Sequence, residues 1–249
     1  MIGELRWAGA YARGVSAKEA RRVAKRTREW YRFWQSYQRY CRLSPAELRP
    51  AARDLYPCLG EDTEVTEIEP TYFYQDTWAF EKIVQRMPAL HVDVGSHHTF
   101  VGFLSKVVPV TMVDIRPLSV PLESLRFLRG SILDMPFPDH SLPSVSSMCV
   151  VEHIGLGRYG DPLDPYGTEK AISELKRVLA PDGHLYLSLP VDEQCKTFFN
   201  AHRALTETYL ETLLAPLEIR ERCYVQGFKF TTLPQAGFRV GCYHLCNPA

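Results

Sequence analysis

Residues 90–117 constrain the fold more than any other part of the chain. They read LHVDVGSHHTFVGFLSKVVPVTMVDIRP, in which two apolar runs each end in an aspartate, Asp93 and Asp114. A glycine turn and a helix-length stretch separate these runs. Strand, tight turn, helix and a second strand tipped by an acid are typical of a nucleotide-binding α/β sheet. Asp114 lies 21 positions after Asp93, a spacing that lets the second carboxylate reach the ribose hydroxyls of a bound adenosine.

Later segments extend this pattern into a larger sheet. We predict further strands over residues 125–132, 145–151 and 184–191, with a helix over residues 168–179 before the last of them. The other predicted elements are helices over residues 72–87 and 205–217 and strands over residues 218–226 and 238–246. Because the first five strands alternate with helices or loops of crossover length, we expect an α/β architecture with a mostly parallel sheet.

The strand-end motifs resemble those of a known family. VDVGS, VDIRP, VVEHI and ELKRVLAPDGHLYLSLP are similar to motifs of class I S-adenosylmethionine-dependent methyltransferases of the type 11 kind. VDVGSHHTFVGFLS, VDIRPL and VEHIGLGRYGDPLDP further resemble the subgroup DUF268, whose name supplies no reaction. The resemblance implies a Rossmann-like, doubly wound, mostly parallel seven-stranded sheet over residues 70–249, with residues 1–69 as an N-terminal helical extension and connector.

The same resemblance implies S-adenosylmethionine as the cofactor. Asp93 corresponds to the acid that helps to hold the methionyl amine and an ordered water, with turn capping as the alternative role. Asp114 corresponds to the ribose acid. Ser131 stands where relatives have an aspartate for the adenine amino group, and Asp134 is an alternative partner for that group. The complete expected set is Asp93, Gly95, Ser96, His97, Asp114, Ile115, Ser131, Ile132 and Glu152.

The first turn departs from the family pattern. Relatives usually read acid-x-Gly-x-Gly-x-Gly, whereas this chain reads Asp-Val-Gly-Ser-His-His-Thr. The Cβ atoms of His97 and Thr99 restrict positive φ angles and a close approach of backbone to ligand. Three outcomes remain open: the loop takes another path, the cofactor sits differently, or its affinity is weak. His97 and His98 either line the pocket or lie exposed in the loop.

The segment after the fourth strand carries the candidates for chemistry. Open α/β sheets bind ligands at the carboxyl ends of their strands, and the ordinary pKa of histidine suits removal of a proton near neutrality. The candidates for a base are His153, Asp161 and His202 in that order, with a scaffold role as the alternative for His153. The glycine- and proline-rich segment that follows is typical of a substrate loop. The expected acceptor contacts are Arg158, Tyr159, Asn200 and Arg203.

Charge is balanced over the chain but uneven along it. The 29 basic and 29 acidic residues give no net charge, so we expect no nucleic-acid partner. Residues 16–43 nevertheless hold nine Lys or Arg against two acids. We predict a helix there that starts at a Ser16 cap and carries an aromatic stripe from Trp30 to Tyr40. Three roles are open for this helix: a solvated helix whose aromatics pack on the core, a membrane-surface helix, or a cap over the active site or partner contact.

The cysteines and the apolar runs indicate the compartment. The seven cysteines show neither a CxxC pair nor a metal-ligand spacing, which favours buried thiols in a reducing environment and no metal site. No apolar run approaches about 18 residues, and the first residues lack the apolar block of a signal peptide. We therefore expect a cytoplasmic protein, of an oligomeric state that the sequence does not indicate.

Two function classes follow from these patterns. The first is a methyltransferase that acts on an oxygen, or in second place a nitrogen, of a small-molecule or glycan-type acceptor. The second is a non-catalytic binding or scaffold protein with a degenerate cofactor loop, which the glycine-poor turn favours. A nicotinamide-dependent enzyme is disfavoured because Gly-x-Gly-x-x-Gly is absent.

Overall fold

The computed structural model describes residues 2–116, 118–119 and 121–248. The chain divides into two compact units, of which the first ends at Glu67 and the second begins at Ile68. The second unit contains all the candidate site residues.

The first unit consists of one long helix and two short turns. Helix α1 spans Ile2–Leu43, and 3₁₀ turns follow at Ala46–Leu48 and Ala52–Asp54. The predicted helix start at Ser16 is therefore wrong; the side chain of Ser16 itself lies outside the described residues. Residues 2–15 contain no proline, so no residue there forces the helix to begin at the predicted cap. Its end before Ser44-Pro45 agrees with the prediction.

The aromatic stripe of α1 packs on itself. Trp30, Phe33, Trp34 and Tyr37 form successive edge-to-face pairs with ring centroids 5.5–5.8 Å apart. None of the described side chains in this unit is fully buried, and Trp30 and Trp34 remain 37% and 44% exposed. Within this unit the aromatics thus pack on one another and not into a buried core. No helix in the described part of the chain is long and apolar enough to cross a membrane.

The second unit alternates strands with helices in its first half and then adds antiparallel strands. The elements up to the fifth strand are α2 Pro70–Arg86, β1 His91–Val94, α3 His98–Leu104, β2 Val110–Asp114, β3 Leu125–Arg129, β4 Leu142–Met148, a 3₁₀ turn Val151–His153, α4 Gly167–Val178 and β5 Leu179–Val191. The remaining elements are β6 Lys196–Phe198, β7 His202–Ala204, α5 Glu207–Leu214, β8 Glu218–Gln226, β9 Lys229–Thr231 and β10 Arg239–Cys246.

The main sheet has the strand order β3-β2-β1-β4-β5-β10-β8-β9. Strands β1 to β5 pair in parallel, and β10 lies antiparallel between β5 and β8. This confirms the predicted doubly wound, mostly parallel architecture. The sheet has eight strands rather than seven because Gly227, at φ +58°, turns the chain back and adds the short edge strand β9.

Apolar layers cover both faces of this sheet. One buried cluster joins the strands to α4 and α5 through Ile172, Leu175 and Leu210, and the other joins them to α2 and α3 through Ile83 and Leu104. All four residues of β1 are buried, as expected for a central parallel strand. The carboxyl ends of β1, β2, β4 and β5 therefore meet at one edge of a rigid sheet, where the candidate residues lie.

Candidate active site

The turn after β1 is held by the first acid. Asp93 is fully buried; its Oδ1 accepts a hydrogen bond from the Ser96 N–H at 3.1 Å, and its Oδ2 accepts one from the Ser146 hydroxyl at 2.5 Å. Ser96 Oγ in turn accepts from the Met148 N–H at 3.0 Å, which fastens the turn to the end of β4. Burial raises the pKa of Asp93 to about 6, although these hydrogen bonds oppose the rise. Asp93 thus performs the turn-capping role that the sequence left open.

Only one position in this turn requires glycine. Gly95 has φ +72°, and a Cβ there would lie 3.1 Å from Val150 Cγ1. His97 has φ −63° and ψ 129°, a relaxed extended conformation that any residue adopts. His97 therefore adopts its conformation without strain, and no glycine is required at its position. The exposed ring of His97 lies 5.4 Å from the Tyr72 ring and 4.3 Å from the His98 ring.

The second acid ends β2 at the same edge. The Asp114 side chain is 14% exposed, and its Oδ1 accepts from the Arg116 N–H at 2.8 Å. Ile115, the next residue, is half-buried. Asp114 is thus accessible from the edge of the sheet, as a ribose ligand must be.

The segment after β3 forms its own tight turn. Ser131 Oγ accepts from the Leu133 N–H at 3.1 Å, and Ser131 pairs with Asp134 through a backbone bridge. Ile132 is buried in the core, whereas Asp134 is exposed. The Ser131 hydroxyl is therefore already engaged within the turn.

Glu152 is the most unusual acid of the site. It lies in the 3₁₀ turn after β4, only 2% exposed, and its buried Oε2 has no hydrogen-bond partner among the described residues. Burial raises its pKa to about 8, and the positive charge of Arg158 only partly opposes this. A buried carboxyl oxygen without a partner is costly, so this position suits a positively charged ligand.

His153 has a defined tautomer. Its Nδ1 lies 2.6 Å from the carbonyl oxygen of Ala201; since a carbonyl only accepts, Nδ1 carries the proton. Nε2 then keeps its lone pair, 3.8 Å from Glu152 Oε1. Burial lowers the pKa of His153 to about 4, so the imidazole is neutral at pH 7.

A cation–aromatic stack borders His153. The Tyr159 ring lies 4.4 Å from the Arg116 guanidinium carbon and 5.1 Å from that of Arg158, and 5.6 Å from the His153 ring. Arg158 also donates to the Ala201 carbonyl at 3.2 Å. The predicted residues Arg158 and Tyr159 therefore lie beside the base candidate, joined by Arg116, which the sequence did not single out.

Two of the predicted residues shape the site from within. Asp161 accepts from the Gly155 N–H at 2.6 Å and from the Tyr159 N–H at 3.3 Å, so both carboxylate oxygens hold the loop together. The buried Arg203 donates to the carbonyl oxygens of Ile154 and Asp164. These contacts favour a loop-forming role for Asp161 and a positioning role for Arg203 over the predicted base and acceptor contact.

The segment after β5 forms a hairpin, because β6 and β7 pair in antiparallel fashion. Asn200 is exposed at its turn. The ring of His202 lies 4.9 Å from that of Phe198 and 5.7 Å from that of Phe238, and burial lowers its pKa. The carbonyl of Ala201 joins this hairpin to His153 and Arg158, so the segment after β4 and the hairpin after β5 lie side by side.

Helix α2 adds polar residues that the sequence reasoning missed. The fully buried Gln75 accepts from Cys149 Sγ at 3.1 Å and from Ser188 Oγ at 2.8 Å, and donates to Asp76 Oδ1 at 3.2 Å. Burial raises the pKa of Asp76 to about 7, and the charge of Asp93 adds to the rise. A glutamine on the apolar stripe of α2, four positions before Ala79, was the signal that could have revealed this network.

A separate cavity of about 470 Å³ lies at the opposite end of the sheet. Arg86, Asp182, His184, Arg220, His244 and Cys246 line it. Arg220 pairs with Glu218 at 2.7 Å, so opposite charges offset one another there. Within the described residues, no group of three or more His, Cys, Asp or Glu could hold a metal ion.

Solved structures confirm the fold. The chain aligns with the 1,6-didemethyltoxoflavin-N1-methyltransferase of Burkholderia thailandensis, bound to its substrate and S-adenosylhomocysteine, at 16% identity and TM-score 0.51, covering 75% of this chain and 94% of that one. It aligns with the N-methyltransferase NodS of Bradyrhizobium japonicum at 18% identity and TM-score 0.54, covering 74% and 100%. The [4+2]-cyclase SpnF matches at 13% identity and TM-score 0.52, covering 70% and 82%. At these identities the likeness establishes the class I methyltransferase fold.

Comparison by sequence matches a shorter part of the chain than comparison by structure does. The family model described as "Caenorhabditis protein of unknown function, DUF268" matches residues 139–226. This range includes the VEHIGLGRYGDPLDP stretch of the predicted resemblance and excludes the two strand-end motifs before it. No curated protein matches the sequence.

Proposed function

We propose that the protein transfers the methyl group of S-adenosylmethionine to an oxygen, or in second place a nitrogen, of a small-molecule or glycan-type acceptor. One observation carries the proposal: Asp93, Asp114 and Glu152 gather at the carboxyl ends of β1, β2 and β4, in a fold shared with methyltransferases. Open α/β sheets bind their ligands at this edge.

The residues present fit this cofactor. The buried Glu152 oxygen without a partner and the raised pKa values of Asp76 and Asp93 describe a site short of positive charge. S-adenosylmethionine carries an ammonium and a sulfonium group, which would supply that charge. Gly95, with no Cβ, permits close approach of the backbone.

Each remaining cofactor contact has a local reason. Asp114, accessible at the edge, would take the ribose hydroxyls. Ile132 would form the apolar side of the adenine slot, and Ser131 would give the adenine amino group at most a weak uncharged contact. His97 and Ile115 complete the rim. When bound, S-adenosylmethionine supplies a methyl group already activated by its sulfonium sulfur.

On the acceptor side, the protein would position the nucleophile and take its proton. His153 is our first candidate for this base, because its Nδ1–H bond to Ala201 leaves Nε2 with a lone pair. Its lowered pKa makes it a weak base, which favours an acceptor whose proton becomes acidic during transfer. Arg158, Tyr159 and Asn200 are the proposed acceptor contacts; Asp161 and His202 remain the lower-ranked base candidates.

A non-catalytic binding module is the second candidate. This candidate is supported by Asp161 and Arg203, whose side chains already hydrogen-bond within the protein. Few polar groups are then left to bind an acceptor. A cyclase among the structures with this fold also indicates that the fold alone does not fix the reaction. Such a protein would bind the cofactor and transfer no methyl group.

Helix α1 supports a further interaction. Its basic residues and its partly exposed Trp30 and Trp34 suit the surface of an anionic membrane, and we propose peripheral contact there by a cytoplasmic protein. Sedimentation with anionic and with neutral vesicles tests this. Equal binding to both kinds of vesicle, or to neither, would contradict it.

Calorimetry separates the main candidates. The protein should bind S-adenosylmethionine and S-adenosylhomocysteine, and nicotinamide dinucleotides should give no heat of binding. Incubation with methyl-labelled cofactor and a panel of small-molecule and glycan acceptors then tests transfer. Tight binding of a nicotinamide cofactor with none of the adenosyl ligands would refute the proposal, whereas adenosyl binding without transfer to any acceptor would favour the binding module.

A further inference from the structure

Four buried side chains form a hydrogen-bonded chain between β1 and β4. His91 and Asp93 project from β1, and Ser144 and Ser146 from β4; all four are at most 3% exposed. His91 Nδ1 lies 2.7 Å from Ser144 Oγ, and His91 Nε2 lies 2.9 Å from Ser146 Oγ. The Ser146 hydroxyl is in turn 2.5 Å from Asp93 Oδ2. The chain thus ends on the acid of the proposed cofactor site.

The ionised state of Asp93 fixes every proton in this chain. Burial lowers the pKa of His91 to about 3, so the ring is neutral, with one N–H and one lone pair. A carboxylate only accepts, so Ser146 must donate to Asp93. Ser146 Oγ then accepts from His91 Nε2–H, and His91 Nδ1 accepts from the Ser144 hydroxyl. All three hydrogen bonds point towards the charge, an arrangement in which each strengthens the next.

Protonation of Asp93 reverses the chain. Asp93 then donates to Ser146 Oγ, and the Ser146 hydroxyl turns to donate to His91 Nε2. The imidazole proton must consequently sit on Nδ1, from which it donates to Ser144 Oγ. The four side chains hold one proton more than before, bound by Asp93, while the imidazole keeps one proton and changes the nitrogen that bears it.

We propose that His91 is a positioning residue that acts through Ser146 to hold Asp93 as a carboxylate, and that its tautomer switches with the charge on Asp93. The link from this charge to cofactor affinity rests on the proposed function; the tautomer switch does not. The pKa of Asp93, about 6, makes both states accessible near neutrality. The charged groups coupled to Asp93 are Asp114 of β2 and Asp76 of α2, and both oppose ionisation. The Tyr186 ring of β5 lies 6.3 Å from that of His91.

Nitrogen NMR of histidine-labelled, ligand-free protein tests the switch. The unprotonated ring nitrogen of His91 should be Nε2 at low pH and Nδ1 at high pH, with the same midpoint as the carboxyl carbon of Asp93. In Asp93→Asn the tautomer should no longer depend on pH. A constant tautomer while Asp93 titrates, or a switch that persists in Asp93→Asn, would overturn the proposal.

A matched pair of serine variants tests the effect on binding. Ser146→Ala removes the link between His91 and Asp93, whereas Ser147→Ala removes an equally buried hydroxyl of the next residue, which bonds the Val94 carbonyl. Ser146→Ala should weaken S-adenosylhomocysteine binding about tenfold or more and shift its pH dependence upward, and Ser147→Ala should bind like the parent. Equal affinities of the two variants would refute the positioning role. A parent that binds no adenosyl ligand would instead refute the proposed function, and the NMR titration would still test the switch.

Discussion

Replacing Glu152 by glutamine should change the pH dependence of stability: relative to the parent, the variant should become more stable as the pH rises. The pKa of Glu152 is raised from 4.5 to about 8 by burial, so the folded state binds this proton more tightly than the unfolded state does. The resulting stabilisation is complete below pH 4.5 and is lost as the pH rises towards 8. Each pH unit in that window changes the free energy of unfolding by about 1.4 kcal/mol. The side chain is only 3% exposed, so solvent screening reduces this little.

The measurable quantity is a difference of slopes. Between pH 4.5 and pH 8, the unfolding free energy of Glu152→Gln relative to the parent should rise by on the order of 3–5 kcal/mol. Asp76 and Asp93 also titrate in this window, but they are present in both proteins and cancel in the comparison. Any constant cost of burying the amide shifts the whole curve without changing its slope.

Urea unfolding at half-unit pH steps measures both curves. Glu81→Gln, a substitution at an exposed glutamate of α2, changes the net charge equally and should follow the parent. If the curves of Glu152→Gln and the parent run parallel over the whole window, the buried carboxyl does not carry the raised pKa, and the argument for a cation site at Glu152 loses its electrostatic basis.

The other expectations concern binding and turnover. Asp114→Ala should weaken S-adenosylmethionine binding about thirtyfold or more, through loss of roughly 2–4 kcal/mol of charge-assisted hydrogen bonds; unchanged affinity in calorimetry would exclude the ribose role. With an acceptor in hand, His153→Asn should lower turnover on the order of 100-fold and leave cofactor affinity within a few-fold, whereas an equal loss of cofactor binding would assign His153 to the scaffold. Deletion of residues 1–43 should preserve cofactor binding and impair acceptor use or localisation, and a truncated protein that cannot fold would show that this helix is not separable. Cofactor binding near pH 7 should release protons from the raised-pKa acids, which calorimetry in buffers of different ionisation enthalpy detects; equal heats in all buffers would contradict this.

The apolar runs of the sequence predicted that the strands exist more accurately than they predicted where the strands begin and end. The fourth strand was expected over residues 145–151, but β4 spans Leu142–Met148. Val151 is as fully buried as Val145 within the strand. The apolar run therefore continues into the 3₁₀ turn, and the sequence does not show where the chain leaves the sheet. Cys149, with φ +53°, marks that point, and a non-glycine residue in this conformation has no sequence signature.

The sequence predicted which segments meet at the site and not which atoms bond. The ends of β1, β2 and β4 follow from strand order, because parallel strands present their carboxyl ends at one edge. Arg203 is an example of a side chain whose bonding partners the sequence could not predict. An arginine near that edge suits an anionic acceptor as well as it suits backbone carbonyls, and its partners Ile154 and Asp164 lie some forty to fifty residues away in the sequence.

The electrostatics of the site explain why stability and function oppose each other here. Asp76, Asp93 and Glu152 are carboxyl groups whose pKa values are raised by burial, so each makes the folded protein less stable as the pH rises through neutrality. Apolar or amide side chains would remove that cost, and a site for a neutral ligand would gain nothing from keeping the acids. A ligand that carries positive charge into the same volume changes the balance, because it favours the ionised form of every one of them. The same buried acids thus destabilise the ligand-free protein and strengthen the binding of a cation. The three acids together indicate a cationic ligand more strongly than any one of them alone.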